Sequence, residues 1–185
     1  MKRRLWAAVL LAVPVLGVAP LRAGQDDPRL GPLFDALRAA ASDEAAAAAE
    51  RQIWQIWIEH KNPEIARLMR EGIAAMSEDD QDAALGAFDA IVKYDRNFAE
   101  GWNKRATVEF AMGDFDASIA DIERTLALEP RHFGALSGLG RIYLSLGRKD
   151  LALKAFRAAL AIDPHLDGLR AAVKELEKSI KGTPL

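Results

Sequence analysis

The chain has 185 residues, half of them apolar and 28% charged, and its formal net charge at pH 7 is −2. This composition is typical of a globular protein with one hydrophobic core. The lack of a basic excess disfavours a nucleic-acid-binding protein, which needs a positively charged face for phosphates. The chain has no cysteine, which excludes disulfide bonds and thiolate metal sites.

Residues 1–23 have the pattern of a secretory signal. A basic start, MKRR, precedes an apolar run that contains Pro14 and Pro20, and Ala23 is a small residue at the expected cleavage site. Cleavage there removes four cations and no acid, so the net charge falls by four, from −2 to −6. The alternative is an uncleaved membrane anchor, although Pro14 disfavours a spanning helix and such helices need about 17–25 apolar residues. Because small extracellular domains of eukaryotes are often rich in disulfides, we expect this cysteine-free chain in a bacterial periplasm, with no stable membrane span after processing.

Residues 24–62 are predicted to form a short lead and a degenerate pair of helices. GPLFDALRAA and EAAAAAERQIWQIWIEH both have helical composition, and Asp43 is the expected N-cap of the second helix. Trp54 and Trp57 lie in a stretch of that helix that is apolar on more than one face. We expect them to pack on the helices that follow next in the chain. The alternative is an exposed aromatic surface, either for formation of a homodimer or for docking on a membrane protein.

The rest of the chain contains a repeat of 34 residues. TLALEP and ALAIDP end at Pro130 and Pro164, and Gly113 and Gly147 have the same separation. From Phe133 onward, the chain follows the spacing W-x2-L-G-x2-Y, A-x3-F and P, with leucine in place of the tryptophan. The matching positions are Leu136, Leu139, Gly140, Tyr143, Ala152, Phe156 and Pro164. This pattern resembles that of the tetratricopeptide repeat family, here in an exported bacterial form.

The resemblance implies an all-α fold, a right-handed superhelical stack of antiparallel helix pairs. The three predicted units span 65–98, 99–132 and 133–166, and residues 167–185 are expected to form a C-terminal capping helix and tail. A capping helix must cover the last apolar surface of the stack with an apolar stripe. The stripe expected here consists of Leu169, Val173, Leu176 and Ile180.

Tetratricopeptide stacks bind an extended peptide or a partner helix in the concave groove that their first helices line. By this resemblance, the groove residues of the chain are Met69, Arg70, Ile73, Asn103, Lys104, Thr107, Phe110, Ser137 and Arg141. They mix apolar, amide and basic groups, which predicts a protein or peptide partner with acidic and apolar character. One subgroup of the family clamps a free C-terminal carboxylate with paired lysines and asparagines. Asn103 and Lys104 match part of that clamp, but Gly134 and Gly138 stand where basic residues would be needed.

Two opposite charges replace apolar residues on the first helix of the second unit. Arg105 occupies the leucine position of the repeat and Glu109 its tyrosine position, while Glu71 occupies the leucine position one unit earlier. Equivalent helices of adjacent units lie about 8–10 Å apart, which long side chains can bridge. We therefore predict a partly buried Glu71–Arg105–Glu109 ion network between the first two units. The alternative is that these charges face a partner.

The sequence contains no pattern typical of an enzyme. His60, His132 and His165 have no spacing suited to a metal site, and the last two are interpreted as polar residues of turns. The glycines match neither a phosphate-binding nor a dinucleotide-binding motif. We therefore expect a non-enzymatic scaffold or adaptor without cofactor or metal, which holds a partner in periplasmic or envelope assembly. The alternative function is that of a self-associating structural protein that uses the Trp54/Trp57 helix.

Overall fold

The computed structural model describes residues 24–181. The signal predicted for residues 1–23 and the alternative membrane anchor lie outside the described residues, as do residues 182–185. All regular secondary structure in the described part is helical, which confirms the all-α fold class. A 3-10 turn at Gly24–Asp26 precedes the nine helices of residues 24–181: α1 (Leu30–Ala39), α2 (Asp43–Ile58), α3 (Pro63–Ser77), α4 (Gln81–Tyr94), α5 (Ala99–Met112), α6 (Phe115–Leu128), α7 (Phe133–Ser145), α8 (Lys149–Ile162) and α9 (Asp167–Lys181).

Each repeat unit contains a pair of packed helices, namely α3 with α4, α5 with α6, and α7 with α8. The helix α9 packs on α8. All four residues of its apolar stripe belong to the last core cluster, in which Leu176 is buried beside Ala152 and Phe156. None of the helices in residues 24–181 is long and apolar enough to cross a membrane.

The two helices of a unit approach closely because a small residue on the first faces a large one on the second. A Cβ added at Gly72 would lie 2.6 Å from the ring of Phe88. A Cβ at Gly140, two units later, would likewise overlap the ring of Phe156. In the middle unit an alanine and an isoleucine of one core cluster, Ala106 and Ile122, hold the equivalent positions. A larger first residue is thus matched by a smaller second one, as close packing requires.

Side-chain oxygens begin the second helices of the first two units at equivalent places. Asp80 and Asp114, 34 residues apart, accept the N–H three residues later and cap α4 and α6. Ser42 caps α2 in the same way, with Oγ 3.2 Å from the nitrogen of Ala45. The prediction of Asp43 as N-cap was wrong, because Ser42 has the extended backbone that a cap needs and Asp43 is already helical.

The helical hairpin α1–α2 folds back onto the third unit. The ring of Trp57 lies 4.0 Å from that of His132, and the ring of Trp54 lies 5.5 Å from that of Phe133. The expectation that these tryptophans pack on the next helices of the chain was therefore wrong. At the end of α2, Ile58 does pack against the core of the first unit.

Gly134 of the third unit leaves room for the hairpin to pack closely. A Cβ at Gly134 would lie 2.5 Å from the ring of Trp54, so the missing side chain leaves the space that the indole fills. Trp57 is only 1% exposed, which removes it from any surface for self-association. The alternative of an exposed Trp54/Trp57 surface is therefore wrong for Trp57, and Trp54 is itself half-buried.

Candidate functional site: a cleft between α2, α5 and α7

A cleft of about 280 Å³ opens between the hairpin and the second and third units. Its floor is apolar and consists mainly of Ala106, Phe110, Ile122, Ala135 and Ile142. Glu50 and Trp54 of α2 form one wall. The cleft is thus built jointly by the hairpin and the repeats, which the sequence did not predict because the position of α2 was unknown.

Five of the nine predicted groove residues line this cleft, namely Asn103, Thr107, Phe110, Ser137 and Arg141. Three others, Met69, Arg70 and Ile73, line a separate depression beside the turn between α2 and α3. Met69 is 2% exposed and belongs to the core of the first unit. The Nζ of Lys104 lies 3.3 Å from Glu100, one turn earlier on α5, and 5.5 Å from the centre of the Trp54 ring of the hairpin. The structure therefore brings together the predicted residues of the second and third units and separates them from those of the first.

The polar groups of the cleft offer one cation and several acceptors. Arg141 is exposed, and no carboxylate within residues 24–181 forms an ion pair with it. The hydroxyls of Thr107 and Ser137 donate to carbonyls one turn earlier, at 2.9 and 2.8 Å, which leaves their oxygens able to accept hydrogen bonds. Asn103 is 6% exposed and donates to Glu100 at 3.1 Å, so its amide group mainly forms a hydrogen bond within the protein interior.

A buried polar cluster lies behind the cleft and joins three helices. The Nε2 of His132 is 2.8 Å from Glu100, and its Nδ1 accepts the N–H of Ala135 at 3.0 Å. This geometry assigns a neutral ring whose Nε2–H donates to the Glu100 carboxylate. Burial opposes ionisation of Glu100, but the charge of Lys104 and the hydrogen bond of His132 outweigh it, so its pKa is lowered. His132 lies in the turn between α6 and α7, as interpreted from the sequence, and caps α7, but its side chain is fully buried.

Arg105 is the centre of an ion network, as expected, but two of its partners differ from the prediction. It contacts Asp121 through Nε at 2.6 Å and Nη2 at 2.9 Å, and Asp89 through Nη1 at 2.7 Å. Glu109 lies 3.7 Å away, as part of the predicted set. Glu71 instead pairs with Arg67, one turn earlier on its own exposed helix face. The second helices α4 and α6 flank Arg105 and supply aspartates where an acid of α3 was expected.

Glu109 is the most perturbed carboxyl group of this network. Burial raises its pKa to about 7, the neighbouring Asp121 adds to the rise, and Arg105 opposes it. One carboxyl oxygen of Glu109 is buried without a hydrogen-bond partner. Within residues 24–181, no cluster of three or more His, Asp or Glu side chains has the arrangement of a metal site.

A family model for the tetratricopeptide repeat matches residues 103–167. A TPR repeat-containing protein of Rhizobium etli is 35% identical over 154 residues, which cover 83% of this chain and 76% of that protein. Further relatives are longer proteins, of which the chain spans 14–43%.

Two solved structures have the same fold. The first TPR of Spaghetti (RPAP3), bound to HSP90 peptide SRMEEVD, has a TM-score of 0.62 and 16% identity, and covers 66% of this chain and 97% of its own. MamA has a TM-score of 0.60 and 20% identity, and covers 80% of this chain and 84% of its own. At these identities the likeness concerns the fold alone. Together with the 34-residue period and the paired helices, the relationship to the Rhizobium etli protein shows that the chain belongs to the tetratricopeptide repeat family.

Proposed function

We propose that this protein is a non-enzymatic interaction scaffold that holds a short segment of a partner protein in the cleft between α2, α5 and α7. The observation that carries the proposal is the pairing of an apolar floor with an exposed, unpaired cation, Arg141. An apolar side chain of the partner would fill the floor, and a nearby carboxylate would receive the guanidinium fork of Arg141. The hydroxyls of Thr107 and Ser137 would accept N–H groups of the bound backbone.

The structural neighbour with a bound peptide supports this chemistry. The peptide SRMEEVD on the first TPR of Spaghetti combines acidic residues with a methionine and a valine. The cleft described above would select a segment that likewise combines acidic and apolar residues, but a shorter one. Because Trp54 forms a wall of the cleft, the hairpin α1–α2 would take part in binding and limit the length of the segment that enters.

We further propose that the scaffold works in the periplasm, in the assembly or maturation of an envelope component. The support is the signal pattern of residues 1–23 together with the absence of cysteine from the sequence. The competing function, self-association through the Trp54/Trp57 helix, is weakened by the burial of Trp57 inside its own chain.

Site-specific photo-crosslinking in the native cells tests the binding proposal. The probe replaces Thr107, which is exposed at the cleft, and the control probe replaces Lys178, which is exposed on α9. We expect a discrete adduct from position 107 that is absent from position 178 and is lost in Arg141→Glu. The matched variant Lys154→Glu makes the same charge change on exposed α8 and should keep the adduct. Equal labelling from both probes, or equal loss in both charge variants, would refute the cleft as the binding site.

A further inference from the structure

A second pocket, which shares no residue with the cleft, lies on the opposite flank of α5. It has a volume of about 380 Å³ and lies between α4, α5 and α6. Its lining consists of four cations, one acid, one aromatic residue and one valine: Lys93, Arg96, Arg105, Arg124, Asp89, Trp102 and Val92. Such a concentration of positive charge is unexpected in a chain whose net charge is −2.

Two of the four cations are already neutralised. Asp89 forms ion pairs with Lys93 and Arg105, and Asp121 forms an ion pair with Arg105 from the other side. The hydrogen bond from Lys93, followed by that from Arg105, lowers the pKa of Asp89, so this carboxylate is ionised at neutral pH. Neither Arg96 nor Arg124 forms an ion pair with any carboxylate of residues 24–181. The pocket therefore keeps two uncompensated guanidinium groups.

The guanidinium of Arg124 is held by the backbone of Arg96, whose own side chain is exposed at the pocket. The carbonyl of Arg96 accepts hydrogen bonds from the indole of Trp102 and from Nη2 of Arg124, both at 3.0 Å. The same Nη2 lies 3.3 Å from the amide oxygen of Asn97. Trp102 also lies against the guanidinium of Arg105, with 4.9 Å between that group and the ring centre. A donor held in place like Arg124 loses little conformational entropy when it binds an anion.

The repeat provides an internal comparison, because the fold itself does not require these cations. At 34-residue spacing, the other units have alanine in place of Lys93 and Arg124, and proline in place of Arg96. Lys93 corresponds to Ala127 and Ala161. Arg124 corresponds to Ala90 and Ala158, and Arg96 corresponds to Pro130 and Pro164. Trp102 keeps the tryptophan of the repeat pattern, where the other two units have Leu68 and Leu136. The three charged substitutions therefore converge on one interface, between the first and second units.

We propose that this pocket binds the phosphate group of a small phosphate monoester. A phosphate monoester carries a charge of about −1.5 to −2 at pH 7, which matches the two unpaired guanidinium groups, whereas a single carboxylate would neutralise only one. Planar guanidinium forks pair with phosphate oxygens through parallel hydrogen bonds. The pocket volume leaves room for the organic group that carries the phosphate. This binding is independent of the partner segment proposed for the cleft.

Calorimetric titration of the full chain with inorganic phosphate and with phenyl phosphate tests the site, with chloride used to keep the ionic strength constant. The variant Arg96→Ala/Arg124→Ala removes the unpaired cations, and alanine already stands at the position of Arg124 in both other units. The control Arg51→Ala/Lys174→Ala removes two exposed cations elsewhere. We expect phenyl phosphate to bind the pocket variant at least about tenfold more weakly, a change of roughly 1.4 kcal/mol, and the control within about twofold of the parent.

A spectroscopic measurement separates loss of binding from loss of folding. The indole N–H resonance of Trp102 should shift on addition of phenyl phosphate to the parent and the control, and stay unchanged in the pocket variant. Retained melting temperature of the pocket variant in chloride would show that its fold is intact. If the pocket variant is unfolded, Arg96→Gln/Arg124→Gln replaces it and should show the same loss. The absence of saturable binding to the parent, or an equal loss in the control, would overturn the proposal.

Discussion

The indole ring of Trp57 lies 4.0 Å from the imidazole ring of His132, and their planes differ by 10°. Both side chains are fully buried. Through this stack, α2 contacts the residue that caps α7, the first helix of the third repeat unit. On its other side, His132 binds Glu100 of the second unit at 2.8 Å. The hairpin α1–α2 is therefore an integral part of the stack and forms a wall of the candidate binding cleft.

Replacement of Trp57 by alanine tests this integration. The change removes a buried aromatic side chain and its stack on His132, so we expect the free energy of unfolding to fall by about 3–5 kcal/mol. Tyr94→Ala is the matched control, because Tyr94 is 64% exposed and such changes alter stability by about 0.5 kcal/mol or less. Urea unfolding of both variants gives the comparison. Similar stability of the two variants would show that the hairpin is only loosely attached.

Two glycines of α7 provide a sharper test of the hairpin position. A Cβ at Gly134 would lie 2.5 Å from Trp54, whereas the nearest atom to a Cβ at Gly138 is in Ile122 at 3.6 Å. Alanine in a helix is otherwise preferred over glycine by about 0.5–1 kcal/mol. We therefore expect Gly134→Ala to lower the melting temperature and Gly138→Ala to raise it or leave it unchanged. An increase in both variants would place Trp54 away from α7.

Arg105→Leu tests the ion network, because leucine is the residue of the same repeat position in the third unit. The substitution leaves Asp121 buried without its main partner, so we expect a loss of about 3 kcal/mol of unfolding free energy. A second change, Asp121→Asn, should recover part of that loss. Arg67→Leu is the control, since Arg67 is 46% exposed and pairs with Glu64 and Glu71 on the surface. Solvent screens such surface pairs, so its expected loss of stability is much smaller than that of Arg105→Leu. If Arg105→Leu were the more stable protein, the network would have no structural role.

The raised pKa of Glu109 predicts a pH dependence of stability. In the folded chain this pKa is about 7, against an unperturbed value of 4.5. Between these values the folded state binds more protons than the unfolded state, so the contribution of Glu109 to stability decreases as the pH rises from about 5 to about 7. In Glu109→Gln this contribution is absent. The free energy of unfolding of the variant, relative to that of the parent, should therefore increase as the pH rises over the same range. The exposed control Glu123→Gln should follow the parent, and parallel curves for all three proteins would contradict the assignment.

The all-helical fold could be predicted from the sequence because the information for the helix pairs is local. The 34-residue spacing of glycines and prolines indicates the helix pairs, and Gly140 with Phe156 indicates how one pair packs. The position of the hairpin could not be predicted in this way, since α2 is apolar on more than one face and its contact with Phe133 lies far along the chain. The same limit explains the network of Arg105: repeat spacing pointed to Glu71 on an equivalent helix, while the flanking helices supplied Asp89 and Asp121.

The most direct test of the account is to fill the cleft without changing its charge. Gly138 lines the cleft, and Gly86 on α4 has no neighbouring atom within 4 Å of a Cβ, so Gly138→Leu and Gly86→Leu are matched substitutions. The measurement is the yield of the partner adduct from a photo-crosslinking probe at Thr107 in each variant. We predict that Gly138→Leu abolishes the adduct and Gly86→Leu retains it. An adduct that persists in Gly138→Leu, with the fold intact, would contradict the conclusion that the partner binds in this cleft.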